Sequence, residues 1–182
     1  MKILETQRLR LRQFTTDDAA FIFVLLNDPA FLQNIGDKGV RSVADARDYL
    51  ANGPLASYAE FGFGLWAVET KESAVLLGMC GLLKRETLED VDIGFAFLPQ
   101  FRGQGYAVEA ALAVRDYARD VLQLPRLVAI TLPTNHGSMR VLEQIGMQFE
   151  KRVRLTADAE ELLLYAGNAS AALANDAPLP QT

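Results

Sequence analysis

Residues that build disulfides and soft metal sites are scarce in this sequence. Its 182 residues include one cysteine and one histidine, which excludes a disulfide framework and a cysteine-based zinc site. Cys80 lies within an apolar run and has no adjacent base, so we interpret it as a packed core thiol. We expect no metal in the protein.

Positive charge and long apolar runs are also missing. Lysine and arginine together number 18 against 23 acidic residues, which gives a net charge of −5. No basic stripe is visible, so a nucleic-acid partner is not expected, whereas an amine substrate is compatible with this charge. No apolar segment approaches membrane-spanning length, and the N-terminus lacks a signal-peptide core. We therefore expect a cytoplasmic protein without a membrane partner.

The length and composition are typical of one soluble globular domain. Half of the residues are hydrophobic and 23% are charged, and a chain of this size buries a sizeable core without cross-links. From Asn168 onward the composition shifts to alanine, asparagine, proline and glutamine. We predict a domain over residues 1–167 and a loose tail over residues 168–182.

Segment 91–121 reads as a strand, a glycine-containing turn and a long helix. Apolar and small or polar residues alternate along residues 92–97, as expected of a strand. Pro99 ends the ladder. Apolar residues then recur at helical spacing through residues 110–121. The first N–H groups of a helix have no intrahelical partner, so this turn predicts an anion site.

Two familiar phosphate-binding loops do not match this turn. A Walker A loop ends in Gly-Lys-Ser/Thr, which is absent here. The dinucleotide fingerprint requires a third glycine, but Val108 stands three residues after Gly105. Gln100, Gly103 and Gly105 instead follow the pattern Gln/Arg-x-x-Gly-x-Gly/Ala. This pattern resembles the acetyl-coenzyme A loop of the GNAT acyltransferase superfamily.

Two further segments support the resemblance. Residues 134–147, TNHGSMRVLEQIGM, are similar to the family's Asn-x-x-Ser-x-x-Val-Leu-Glu-x-x-Gly-Phe segment, with Met147 in place of the aromatic residue. Residues 5–12 and 105–110, ETQRLRLR and GYAVEA, resemble the branch of ribosomal-protein N-terminal acetyltransferases (RimJ/RimL-like). The likeness covers roughly residues 3 to 166.

Periodicity and turn signals along the chain predict an α/β (α+β) fold. We expect strands at residues 8–12, 63–70, 75–84, 91–97, 126–132, 148–155 and 160–166. Helices are expected at residues 19–26, 43–51, 110–121 and 136–145, with a loop over 31–41 and a stop at Gly53-Pro54. The resemblance implies the GNAT fold: a central mixed, mostly antiparallel twisted sheet of about six to seven strands, with a splayed parallel pair and about four flanking helices.

The resemblance also implies a cofactor site. Acetyl-CoA would donate its acetyl group directly to an amine in a ternary complex. Backbone groups near Phe97 and Leu98 would pair with pantetheine, and the N–H of Leu98 would point at the thioester oxygen. The pyrophosphate would rest on consecutive backbone amides, those of Arg102, Gly103, Gln104, Gly105, Tyr106 and Ala107.

Several polar residues are candidates for the remaining roles. Asn135 is an N-cap, a pantetheine ligand or both, and Ser138 either stabilises the same helix start or contacts the cofactor. His136 is interpreted as a surface residue. By resemblance, Asp92 occupies the position of a catalytic base, although an exposed polar residue at a strand start is an equally good interpretation; Glu109 is a weaker candidate. Many family members use a tyrosine to protonate the thiolate leaving group. Leu142 stands at that position here, so no residue is assigned to this step.

The lack of an evident strong base bears on the acceptor. Deprotonating a lysine amine of pKa about 10.4 at pH 7 costs roughly 4.6 kcal/mol, whereas an α-amine near 8 costs about 1.4 kcal/mol. This comparison favours an α-amine. The expected partner is an amine substrate, either a protein N-terminus or a small molecule such as an antibiotic, a polyamine or an amino acid. A monomer or homodimer is expected. The alternative function is a non-catalytic coenzyme A-binding or regulatory domain.

Overall fold

The computed structural model describes residues 1–168. Asn168, the first residue of the predicted tail, is the last residue of a strand, and residues 169–182 lie outside the described residues. Eight strands form one sheet, in the order β1-β2-β3-β4-β5-β6-β8-β7. The strands are β1 (Lys2–Glu5), β2 (Leu9–Arg12), β3 (Leu65–Thr70), β4 (Leu76–Leu83), β5 (Asp92–Phe97), β6 (Arg126–Thr131), β7 (Gln148–Val153) and β8 (Leu162–Asn168).

Helices cover both faces of the sheet. They are α1 (Ala19–Leu26), α2 (Pro29–Asn34), α3 (Val43–Leu50), α4 (Ala56–Phe61), α5 (Tyr106–Asp120) and α6 (His136–Gln144). Residues of α5 and α6 pack in one core with Ile93 and Phe97 of β5. Residues of α1, α2 and α3 pack in a second core with Ala96 and Leu98. The period-two alternation of a strand therefore assigns successive β5 side chains to opposite layers.

The predicted splayed parallel pair is confirmed. Strands β5 and β6 run parallel, and Asp92 opposite Val128 is their one register pair among the described residues. The N–H of Val128 donates to the carbonyl of Val91 at 3.1 Å. All other neighbouring strands pair antiparallel over several residues. The carboxyl ends of β5 and β6 consequently diverge and leave a gap in the sheet.

The structure corrects three expectations about the elements. It has eight strands because β1, a short edge strand, pairs with β2 across an irregular register. The predicted loop 31–41 begins inside α2, which Asp28 caps by accepting from the Phe31 N–H at 3.1 Å. The helical conformation that begins with α3 also does not end at Gly53-Pro54. It continues through a π-helical turn (Ala51–Leu55) into α4, and such a wider turn absorbs the donor that proline lacks.

Candidate active site

A cavity of about 600 Å³ lies where β5 ends and α5 and α6 begin, within the size range of small-molecule sites. Most of the predicted cofactor residues line it: Phe97, Arg102, Gly103, Gly105, Tyr106, Ala107, Asn135 and Ser138. Leu98, Gln104 and Asp92 do not appear in its lining. Ala30, Phe31, Asn34 and Ile35 of the α2 segment form another wall of the cavity. The sequence did not indicate this wall, because a loop was expected over residues 31–41.

The glycine turn exposes a run of unpaired backbone donors. Gly103 and Gly105 have φ of +71° and +80°, a conformation that glycine adopts without steric cost. Glu109 is the first residue after these glycines whose N–H is hydrogen-bonded, and it donates to the Gly105 carbonyl at 3.0 Å. Among the described residues, the N–H groups of residues 103–108 have no protein acceptor. Together with the dipole of α5, these donors have the arrangement that an anion site requires.

The predicted amide set loses one member. The N–H of Arg102 donates to the carbonyl of Pro99 at 3.2 Å, because residues 99–101 form a short 3₁₀ turn (Pro99–Phe101). Space is available over the remaining amides: a Cβ placed on Gly103 would find no atom within 4 Å. A bulky anion can therefore approach the backbone at this position.

The N–H of Leu98 is not available as the expected oxyanion donor. The N–H of Leu98 donates to the carbonyl of Leu77 at 3.0 Å, so it extends the β4–β5 ladder and does not face the gap. Backbone groups of successive strand residues point to opposite sides. The N–H of Phe97 therefore points toward the gap between β5 and β6, where Leu98 had been expected to donate.

Arg102 uses its side chain to join the loop to α2. Its Nη2 donates to Oδ2 of Asp28 at 2.6 Å, and its Nε donates to the carbonyl of Phe97 at 2.8 Å. Asp28 is buried and also caps α2. The same guanidinium thus fixes α2 beside the loop. It also occupies the Phe97 carbonyl, with which pantetheine had been expected to pair. Nothing in the local sequence signals this pairing, because Asp28 and Arg102 are 74 residues apart.

Asn135 and Ser138 form a closed pair at the start of α6. Oδ1 of Asn135 accepts from the Ser138 N–H at 3.1 Å, and Nδ2 of Asn135 donates to Oγ of Ser138 at 2.8 Å. The capping role of Asn135 is confirmed. Because Oγ of Ser138 accepts from the amide, its own proton is directed elsewhere, and Ser138 lines the cavity. His136 beside them is exposed, as expected.

Asp92 is buried rather than exposed, with 1% of its surface accessible. Its carboxylate accepts from Nε of Arg85 at 3.0 and 3.2 Å. Burial raises the pKa of Asp92, and the nearby Arg85 opposes that shift. The space above Gly94 on the same face is filled, because a Cβ on Gly94 would lie 2.8 Å from Cδ1 of Leu83. Ala96, on the same face of β5, lines the cavity four positions from Asp92, about 13 Å along a strand.

The other candidates have structural roles. Burial raises the pKa of the Cys80 thiol, which is fully enclosed and not an activated nucleophile. Leu142 is buried in the core beside α5. Desolvation raises the pKa of Glu109, but hydrogen bonds from Thr6 and Arg8 outweigh it, so the pKa of Glu109 is lowered. Gln104 donates its side-chain amide to the carbonyl of Gln100 at 2.8 Å.

The described part of the chain contains neither a metal-binding cluster nor a membrane-spanning helix. Among residues 1–168, no cluster of three or more histidine, cysteine, aspartate or glutamate residues is arranged to hold a metal ion. No helix within the same residues combines the length and apolar character needed to cross a membrane.

Comparisons with known proteins agree with this geometry. The family model described as "Acetyltransferase (GNAT) domain" matches residues 8–148. The uncharacterized protein YkkB of Bacillus subtilis is 34% identical, over 83% of this chain and 88% of its own length. An uncharacterized N-acetyltransferase of the same species, YoaA, is 29% identical over 84% and 86% of the two chains.

Solved structures share the fold. The GNAT-family acetyltransferase from Bacillus anthracis superposes with a TM-score of 0.77 at 26% identity, over 93% of this chain and 99% of that one. A ribosomal L7/L12 α-N-protein acetyltransferase, RimL, solved in complex with coenzyme A, reaches a TM-score of 0.78 at 18% identity, over 92% and 98% of the two chains. Family match, relatives and fold agree: this chain belongs to the GNAT acetyltransferase family and is an acyltransferase.

Proposed function

We propose that this protein is an N-acetyltransferase that moves the acetyl group of acetyl-CoA directly to a primary amine. The observation that carries the proposal is the run of unpaired N–H groups at residues 103–108, at the mouth of a cavity that reaches the β5–β6 gap. A diphosphate fits such donors, and an extended pantetheine arm fits an unpaired strand edge. The RimL structure with coenzyme A has the same fold.

The N–H of Phe97 takes the role first expected of Leu98. It points toward the gap, and Phe97 lines the cavity. A donor fixed by a strand requires no reorganisation as negative charge develops on the thioester oxygen. Nε of Arg102 already donates to the Phe97 carbonyl. Pantetheine therefore either accepts from the Phe97 N–H alone or shares the Phe97 carbonyl with the Arg102 guanidinium.

Ser138 supplies the proton that the absent tyrosine would provide. Its hydroxyl lines the cavity, and the amide of Asn135 occupies an Oγ lone pair and leaves the O–H free to donate. The thiolate of coenzyme A leaves as the amine attacks the acetyl carbon, and a hydroxyl proton on its sulfur completes the transfer. Solvent restores the proton to Ser138.

Asp92 accepts the amine proton through water rather than by contact. Its distance along β5 from the cavity wall is too long for a direct hydrogen bond, which requires about 2.6–3.2 Å. A buried carboxylate with a raised pKa is a better match to a proton acceptor than an ordinary surface aspartate. Arg85 fixes the carboxylate in place.

The acceptor is an α-amine, on a protein N-terminus or a small molecule. With the base at a distance, an amine that is already partly neutral at pH 7 is the better substrate. The segments resembling the RimJ/RimL branch support a protein N-terminus, as does the shared fold with RimL. The α2 wall offers Phe31, Ile35 and the Asn34 amide as its contacts beside the cavity.

Acceptor profiling tests this function. Acetyl-CoA consumption is measured against a panel of peptides with free N-termini, polyamines, amino acids and aminoglycosides, and the products are identified by mass spectrometry. We expect N-acetylated product, with α-amines preferred over ε-amines. Tight acetyl-CoA binding without transfer to any amine, in a protein that also releases no free thiol, would favour the non-catalytic alternative.

A further inference from the structure

The turn between β1 and β2 is fastened to the start of α5, and Arg8 in this turn is not part of the cavity lining. Oγ1 of Thr6 and the N–H of Arg8 both donate to Oε1 of Glu109, at 2.5 and 2.8 Å. Nε of Arg8 donates to Oε2 of the same carboxylate at 2.6 Å. Both Glu109 oxygens are thus committed to this turn, which lies about a hundred residues away in sequence.

The Arg8 side chain continues past Glu109 onto the loop itself. Its Nη1 donates to the carbonyl of Gln104 at 3.0 Å. Its Cζ lies 4.4 Å from the centre of the Tyr106 ring, a cation–π distance. Its Nη2 is 3.3 Å from the position of a Cβ built on Gly105. One guanidinium therefore contacts Gln104 and Tyr106 and lies beside Gly105, at the point where the loop becomes a helix.

These three residues belong to the run whose N–H groups face the anion site. Glycine in a left-handed conformation has many alternatives open to it, so an unsupported loop would lose conformational freedom when an anion binds. Arg8 removes that cost by fixing one carbonyl and one ring before the ligand arrives. It also offsets the charge of Glu109, whose lowered pKa keeps the carboxylate ionised in the first turn of α5.

We propose that Arg8 is the positioning residue for the diphosphate of the acyl donor. It acts from behind the loop, by ordering residues 104–106 and neutralising Glu109, and it does not touch the thioester or the amine. This inference rests on the proposed function, because it assumes that a diphosphate occupies the loop. It predicts a defect confined to donors that carry the diphosphate.

The test compares two donors and two arginines. Acetyl-CoA binding is measured by calorimetry, and S-acetylpantetheine, which lacks the diphosphate and the adenosine, is titrated by NMR. Arg8→Ala is the test variant and Arg8→Lys keeps the charge without the forked donors. Arg10→Ala is the matched control, because Arg10 lies on the adjoining strand and pairs with Glu5 and Glu69 instead.

For Arg8→Ala we expect about tenfold weaker acetyl-CoA binding, the low end for a charged hydrogen bond, since the Arg8 side chain is 43% exposed. The same variant should keep the wild-type affinity for S-acetylpantetheine. The acetyl-CoA affinity of Arg8→Lys should lie between those of the wild type and Arg8→Ala, and Arg10→Ala should bind both donors with wild-type affinity. Should Arg8→Ala unfold, the comparison is made with Arg8→Lys.

Two results would overturn the proposal. Equal losses for both donors would show that Arg8 supports the fold alone, and unchanged acetyl-CoA affinity would show that the loop is ordered without it. Both presuppose a wild-type protein that binds acetyl-CoA. A wild-type protein that does not bind acetyl-CoA would instead refute the proposed function.

Discussion

Gly103 provides the sharpest test of the cofactor loop, since its substitution separates charge from backbone strain. Its φ is +71°, and no atom lies within 4 Å of the position that a Cβ would occupy. Placing Asp there costs about 1–2 kcal/mol of left-handed strain at most, or a few degrees in Tm for a chain of this size. The new carboxylate would stand over the N–H groups that we assign to the diphosphate.

The electrostatic penalty acts on binding, whereas the strain acts on folding. A carboxylate about 5 Å from one phosphate charge is repelled by about 0.8 kcal/mol at the permittivity of water and by about 3 kcal/mol at an effective value of 20. With two diphosphate charges, even the lower figure weakens binding by roughly 15-fold. We therefore expect Gly103→Asp to lose at least about tenfold in acetyl-CoA affinity, by calorimetry at low ionic strength.

Two matched variants isolate the cause. Gly103→Asn has the same shape and strain without the charge, and it should bind much more tightly than Gly103→Asp. Gly62→Asp repeats the strain elsewhere, because Gly62 ends α4 at φ +77° with nothing near its Cβ, and it should bind normally with a similar Tm. Wild-type affinity in a folded Gly103→Asp protein would refute the loop assignment, and equal losses for Asp and Asn would refute the electrostatic argument.

Three further substitutions test the proton and cofactor roles. Asn135→Asp keeps the cap, so Tm should hold, but the new carboxylate accepts the Ser138 proton and activity should fall; parallel losses of Tm and rate would make Asn135 purely structural. Ser138→Ala should lower kcat toward the small end of the ~10²–10⁴-fold range of proton donors, at unchanged acetyl-CoA affinity, and an unchanged kcat would remove its role. Asp92→Asn should lower the rate by ~10²–10⁴-fold, most for high-pKa amines, and recover as pH rises because solvent then supplies neutral amine. Since burial raises the pKa of Asp92, the wild-type acid limb should lie above the usual aspartate range, and a variant profile that overlays the wild type would exclude Asp92.

Features that depend on a few adjacent residues were predictable from the sequence. The glycine turn after β5, the helix that follows it and the Asn135 cap are all local, because each follows from the conformations and hydrogen bonds of residues within one turn. The alternation along β5 is local in the same sense, and it correctly placed Asp92 and Ala96 on one face. The parallel crossover followed from the order strand, helix, strand.

Local signals also misled where stronger contacts overrode them. Gly53-Pro54 is a helix stop by propensity, but the helical segment continues because Leu50 and Pro54 are buried beneath it. Residues 31–34 are helical because Asp28 caps them while it is paired with Arg102. A cap held by a distant arginine leaves no signature in its own segment.

Tertiary structure alone decided the chemistry at the gap. Whether the N–H of Phe97 or Leu98 faces the cofactor depends on the register between β4 and β5, which the bond from Leu98 to Leu77 sets; a shift of one residue reverses every backbone group. The pairs Arg102–Asp28 and Arg8–Glu109 join residues 74 and 101 positions apart. Their geometry follows from the packing of the whole sheet, because only folding brings such charges within hydrogen-bond distance.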